Sequence, residues 1–369
     1  MKEESAVMAV RLLEDLPALS GRAVLVRATL DLPLGADEGP MAAARAGALG
    51  ATLHWLLDHG AHVTVFGDIG GADQERTTRF AHVQKVINQL APWVTVAESS
   101  GAPGMSTEDP DVLQTLIKEH DIFVNDSFQW SYLRLPSLIT PASSLPSAAG
   151  RSLERDLRIV DRLLASPERP FVAILGGNRT FLRLHGLRGL VLRADTVLVG
   201  GAMAAPLLRA VGKSTGGNDA EDFLAECRAA YGLGHMVRHE ISLPLDLTWS
   251  TDDGEPQVTS VDEQGAGQVV DIGPLTRRRF AESVKSARTV LWLGAMGRVE
   301  DPGCVEGTRA LGELLGGGHR VAVVGGDALV SCLSAQGVLG DHIDILSATD
   351  AALELLKNGD LPALIPLRS

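Results

Sequence analysis

Aromatic side chains are scarce in this chain of 369 residues: eight Phe, five Trp and two Tyr make up 4% of it. A core short of rings must be built from aliphatic and alanine side chains, and 45% hydrophobic residues are enough for a full interior. Positive charge is also short. Against 46 Asp and Glu stand 33 Lys and Arg, a formal net charge of -13. Such a surface repels nucleic acid and anionic membrane, and no basic run overrides it. The expected partner is a small molecule, and any phosphate must be held by a few local cations and backbone amides. The three cysteines, Cys227, Cys304 and Cys332, are far apart and lack metal-ligand spacing, so unlinked thiols in a reducing cytoplasm are expected. No apolar stretch is long enough to span a bilayer, and the polar first residues lack a signal-peptide core.

What the chain does have is glycine behind aliphatic runs. Residues 172–175, 197–199 and 321–324 end in the pairs Gly176-Gly177, Gly200-Gly201 and Gly325-Gly326. Short β-branched runs of this kind read as buried parallel strands. Glycine at a carboxyl end lets a ligand approach bare backbone, and in open α/β sheets that edge is where nucleotides and phosphates bind. Strand and helix patterns alternate from Val24 to Asn125, with a helix over 42–59 stopped by Gly60. A long amphipathic helix over 150–165 follows, stopped by Ser166-Pro167. A second β/α series begins at Phe171, interrupted by a polar stretch, 251–269, that reads as a surface hairpin or loop. The fold class is therefore α/β: two doubly wound, Rossmann-like parallel-sheet domains joined by a helix, with a ligand cleft expected between them.

At several points the chain resembles phosphoglycerate kinase. Residues 21–27 with Leu32-Pro33-Leu34 look like that family's first strand and loop. Residues 123–128 (Phe-Val-Asn-Asp-Ser-Phe) resemble its Val-Asn-Asp-Ala-Phe segment, and 145–150 the approach to its interdomain helix. Residues 167–177 (Pro-Glu-Arg-Pro-Phe-Val-Ala-Ile-Leu-Gly-Gly) are close to a signature. Asp271-Ile272-Gly273-Pro274, the 294–297 turn, 307–310 and 353–356 extend the resemblance over nearly the whole length. It implies a monomeric hinge enzyme that transfers a phosphoryl group between ATP or ADP, with Mg, and a carboxylate. It also implies an acid-substrate domain over 1–150, a hinge helix over 151–168, a nucleotide domain over 169–350, and a segment 351–369 returning to the first domain.

On the acid side the family's cations are largely gone. Its Asp-Phe-Asn motif reads Thr29-Leu30-Asp31. In its phosphate loop Asp68 stands for His and Gly71 for Arg. Its Gly-Thr-x-His-Arg-x-His segment reads 129–135, with Trp130, Tyr132 and an out-of-register Arg134. Arg45 falls on the catalytic Arg that spans acid and phosphoryl group. Hydrogen bonds to charged groups contribute roughly 1.5–3 kcal/mol each, so losing several should abolish 3-phosphoglycerate binding. The acceptor pocket is expected at Thr29, Asp31, Asp68, Trp130, Tyr132 and Arg134; Trp130 and Tyr132 read equally well as packing.

On the nucleotide side the resemblance implies roles for Gly176, Gly177, Gly200, Gly201, Pro274, Gly325 and Gly326. Arg179 and Arg183 stand on two family lysines, the first of them catalytic. Glu300 falls on the ribose-binding Glu, and Asp327 on the Asp linked to magnesium. The family's triple-glycine helix start, whose amides hold the phosphoryl group, reads Ser347-Ala348-Thr349-Asp350-Ala351-Ala352, an ordinary helix cap. Three readings stand: a kinase with a changed acid acceptor, a non-catalytic relative, and an ordinary glycolytic phosphoglycerate kinase, against which the substitutions argue.

Overall fold

Aliphatic runs that can be buried on both faces become the strands of two parallel sheets. The computed structural model describes residues 9–32, 39–67, 76–97, 109–177, 181–213, 223–250, 256–263, 265, 267–301, 303–316 and 320–368. These divide into two compact units, the chain up to Asp161 with the segment from Gly359, and Arg162–Asn358.

In the first unit, β1 (Ala23–Ala28), β2 (His62–Phe66), β3 (Thr95–Val96), β4 (Ile122–Asp126) and β5 (Ser147–Ala149) form a parallel sheet in the order β3-β2-β1-β4-β5. The connections are α1 (Pro40–Asp58), α2 (Arg76–Leu90), α3 (Pro110–Glu119) and α4 (Pro136–Ser144). Helix α1 starts at Pro40, whose missing N–H costs nothing in the first turn, and buries Leu49, Leu53 and Leu56 along one stripe. It ends before Gly60, which takes the left-handed backbone (φ 80°) expected of a helix stop. Helix α5 (Arg151–Ala165) carries the chain from the first unit into the second. It is capped by Asp126, which accepts hydrogen bonds from the Ser152 N–H (2.8 Å) and hydroxyl (2.9 Å). Burial pushes the Asp126 carboxyl up to about 7, and the Ser152, Thr52 and Leu153 donors hold it back.

The second unit holds β6 (Phe171–Leu175), α6 (Phe181–Arg193), β7 (Thr196–Val199), α7 (Ala204–Ala210), α8 (Leu224–Val237) and β8 (Glu240–Ser242). Then come β9 (Asp246–Ser250), β10 (Gln257–Ser260), β11 (Gln268–Ile272), α9 (Pro274–Ser286) and β12 (Thr289–Leu293). The unit closes with α10 (Glu306–Gly312), β13 (Val321–Gly325), α11 (Asp327–Ala335), β14 (Ile343–Leu346) and α12 (Thr349–Asn358). Its parallel sheet runs β14-β13-β12-β6-β7-β8.

The stretch 251–269, expected as a surface hairpin or loop, takes part in antiparallel pairing: β10 and the start of β11 pair with β9, completing a three-stranded sheet with a bulge between Val269 and Asp271. Residues 251–255 lie outside the described residues. The segment expected to leave the second unit at 351 stays in it through Asn358. The cause is flat packing on α6, where Gly186 and Gly189 present bare backbone to Leu353 and Lys357 of α12; a Cβ at either glycine would come within 2.7 Å of them. Only the last residues, through the turn Pro362–Leu367, join the first unit, where Arg11 donates to the Pro366 carbonyl (2.9 Å).

Candidate functional site

At the carboxyl edge of the second sheet, four strands end in glycine, and the turns that follow cross one another. The Gly177 N–H donates to the Ala295 carbonyl (2.6 Å), Gly201 to Met296 (2.8 Å) and Gly294 to Gly325 (2.9 Å). No side chain fits at these crossings. A Cβ on Gly294 (φ 83°) would lie 2.6 Å from the Gly176 carbonyl oxygen, and one on Gly201 (φ 55°) 2.7 Å from the Gly177 nitrogen. The glycines therefore serve first to let backbone pack on backbone, and their amides are spent on carbonyls of the chain itself. Gly326 differs: at φ 108° it precedes α11, and a Cβ there would find only ordinary contacts, at 3.5 Å and beyond.

Above this floor is a cavity of about 1020 Å³. Gly177, Gly201, Gly294 and Gly326 form its base. Leu247, Trp249, Gln268 and Val269, from the three-stranded sheet, form one wall. Sequence reasoning missed this wall. The signal was the alternation of Leu247 and Trp249 with polar neighbours, which marks a strand with one face turned inward. Trp249 is fully buried and donates its indole N–H to the Thr259 hydroxyl (2.8 Å).

Five charged side chains among the described residues line the cavity: Arg183, Arg298, Asp271, Glu300 and Asp327. Asp271 is buried and accepts from the Gly307 N–H (2.7 Å) and the Ile272 N–H (2.8 Å). Burial pushes its carboxyl up to about 6 against the pull of those amides. Glu300 and Asp327 are exposed, and Asp327 opens α11. Arg183 is the embedded cation. It donates to the Gly176 carbonyl (2.7 Å) and the Thr349 hydroxyl (3.4 Å), and its Nε lies 3.8 Å from Asp350 Oδ1. Burial pushes its guanidinium below the ordinary value and Asp350 pulls it back.

The family model of phosphoglycerate kinase matches residues 97–359. The chain belongs to the phosphoglycerate kinase family. The phosphoglycerate kinase of Moorella thermoacetica is 30% identical over 392 aligned residues, covering 98% of this chain and 99% of the relative. That of Desulforudis audaxviator is 30% identical over 384, covering 95% and 97%. Among solved structures, the phosphoglycerate kinase from Coxiella burnetii has a TM-score of 0.76 at 21% identity over 97% of this chain and 98% of that one. The one from Pyrococcus horikoshii also has a TM-score of 0.76, at 22% identity and the same coverage. At those identities the structures speak for the fold.

Of the residues that resemblance to this family nominates, the cavity wall gathers Gly177, Gly201, Gly326, Arg183, Glu300 and Asp327. Gly176, Gly200 and Gly325 are buried behind it as packing, and Pro274 opens α9 away from the lining. Arg179 and Asp68 lie outside the described residues. In the first unit the Thr29 hydroxyl meets that of Ser127 (3.0 Å). Arg45 faces Asp31 at 3.7 Å, the arginine largely buried and the aspartate open to solvent. Trp130 and Tyr132 are half-buried in the turn after β4, and Arg134 is exposed. Among the described residues no group of three or more His, Cys, Asp or Glu could hold a metal by itself, and no helix is long and apolar enough to cross a membrane.

Proposed function

We propose that this chain is an ATP/ADP-dependent phosphotransferase of the phosphoglycerate kinase type whose acceptor is a carboxylate other than 3-phosphoglycerate. The observation that carries the nucleotide half is the cavity above the glycine floor, with Arg183, Glu300 and Asp327 on one wall system. Its volume suits a nucleotide. Glu300, a pure acceptor, suits ribose hydroxyls. Magnesium fits as an ion arriving with the nucleotide, since one carboxylate and the phosphate oxygens suffice to hold it. Asp327 would supply that carboxylate, and the bound ion would neutralise charge on the transferring phosphoryl group. Arg183 would present its fork to a phosphate, and Arg45, on the first unit, would orient the acceptor carboxylate.

The changed acceptor is supported by the chemistry of the first unit. Where the family has cations, the sequence has Asp68 and Gly71. Arg45, which stays, already faces an internal carboxylate, Asp31. Calorimetric titration with MgADP and MgATP tests the nucleotide half. Purified protein with MgATP and 3-phosphoglycerate is expected to form no 1,3-bisphosphoglycerate, and clear turnover would overturn the proposal of a different acceptor. A screen of other carboxylic acids for ATP-dependent phosphorylation then looks for the acceptor. A second reading, a nucleotide-binding relative without catalysis, is favoured by the Arg183–Asp350 pair and would be chosen by binding without turnover on any acid. In either reading the protein acts as a monomer in the cytoplasm, which its three free thiols suit.

A further inference from the structure

Arg183 is placed to attract an anion into the cavity, but an anion of the chain itself has reached it first. Its fork lies against the bare faces of Gly177 and Gly294 and is drawn to Asp350, in the first turn of α12. Asp350 does not line the cavity and meets it through Arg183. Its Oδ1 is buried and has no hydrogen-bond partner among the described residues, so the 3.8 Å ion pair is the interaction that compensates it. The rest of the lining adds no surplus of positive charge. Arg298 is exposed and pairs with Asp301 (3.9 Å), while Asp271, Glu300 and Asp327 are acidic. Among the described residues two cations thus face three carboxylates, and the better-buried cation is already engaged by a fourth.

We infer that Asp350 is a specificity determinant of this cavity: an internal carboxylate takes up the charge of Arg183 and turns the site against highly phosphorylated ligands, in favour of those carrying few phosphate charges. A nucleoside gains from the apolar wall and Glu300 without needing Arg183. Each phosphate added to it must compete with Asp350 for the same guanidinium, or approach a lining in which, among the described residues, acids outnumber bases. The inference rests on the proposed nucleotide site and names what that site selects.

The test measures affinities of adenosine, MgADP, MgATP and inorganic pyrophosphate for the wild type and Asp350→Asn. The asparagine keeps the size of the side chain and removes its charge. Releasing a partly buried arginine should tighten pyrophosphate and MgATP about ten-fold and leave adenosine within about two-fold. Asp350→Glu should restore the wild-type order. Arg183→Gln should cost little pyrophosphate affinity in the wild type and cancel the gain in Asp350→Asn, a coupling that a merely structural aspartate would not produce. An equal shift of all four ligands overturns the inference, and so does no shift or no pyrophosphate binding by either protein. If adenosine and both nucleotides bind neither protein, the proposed function fails, and the pyrophosphate result decides the role of Asp350 by itself.

Discussion

The two parallel sheets of this molecule end differently. At the carboxyl edge of the first, side chains close on each other. The Thr29 and Ser127 hydroxyls meet, the Ser127 N–H donates to Asn125 (3.0 Å), and Asp126 is consumed in capping α5. At the same edge of the second, β6, β7, β12 and β13 run out into glycine, turns pack backbone on backbone, and about 1020 Å³ is left above them. The lesson is that a parallel sheet alone does not make a ligand site. What matters is whether its edge spends its polar groups on side chains or leaves a thin floor with space over it.

The comparison breaks most visibly at the floor. Gly294→Ala should lower stability by about 4 kcal/mol and abolish nucleotide binding, because the methyl meets the Gly176 carbonyl at a left-handed backbone position. Gly212→Ala, also at positive φ (80°) but facing open space, should cost only about 1–2 kcal/mol. Urea unfolding with calorimetry on both variants checks this, and equal losses would mean that the crossings do not define the floor. The next effect is in pH. Asp271 holds its proton to about 6 when folded and loses it near its ordinary value of 3.8 when unfolded. The folded state therefore binds more protons between about pH 4 and 6, so stability falls as pH rises through that window and levels off above it. Asp126 does the same up to about 7. Asp271→Asn should flatten the decline by at most about 3 kcal/mol, read from unfolding between pH 4 and 8, and an unchanged slope would remove Asp271 from the account.

Much of this contrast was legible in the letters. The runs before Gly176, Gly200 and Gly325 announced strands because aliphatic residues buried on both faces leave little else for the chain to do, and the glycines marked the edge with the cavity. What packs against them was not legible. A sequence shows that a Cβ is missing but not what takes its place: at Gly201 and Gly294 the nearest neighbour is the backbone of another turn, and at Gly177 it is the Arg183 guanidinium. The wall from Trp249 and Val269 was hidden because it depends on antiparallel pairing across a polar stretch. The pairs Arg183–Asp350 and Arg45–Asp31 were hidden for a similar reason: contact between distant or differently housed side chains follows from packing, which no spacing rule encodes.

Two smaller tests sharpen the contrast from the first unit. Asp126→Ala removes the cap of α5 and should cost about 2 kcal/mol with little change in affinity for adenosine, checked by unfolding and titration. Arg45→Ala should lower stability by about 1 kcal/mol, since the ion pair with solvent-exposed Asp31 contributes little but the arginine itself is largely buried. The same variant should nonetheless eliminate phosphoryl transfer to whatever acid the screen identifies. Retained turnover would take Arg45 out of the proposed chemistry.

The crossings under the cavity join turns near positions 177, 201, 295 and 325 through amides that each depend on a different strand being in place. Such hydrogen bonds have no local way to open. Deuterium uptake at Gly177, Gly201 and Gly294 should therefore keep pace with complete unfolding of that unit and lag far behind the termini of its helices, so that the cavity floor is the last part of the unit to yield to solvent.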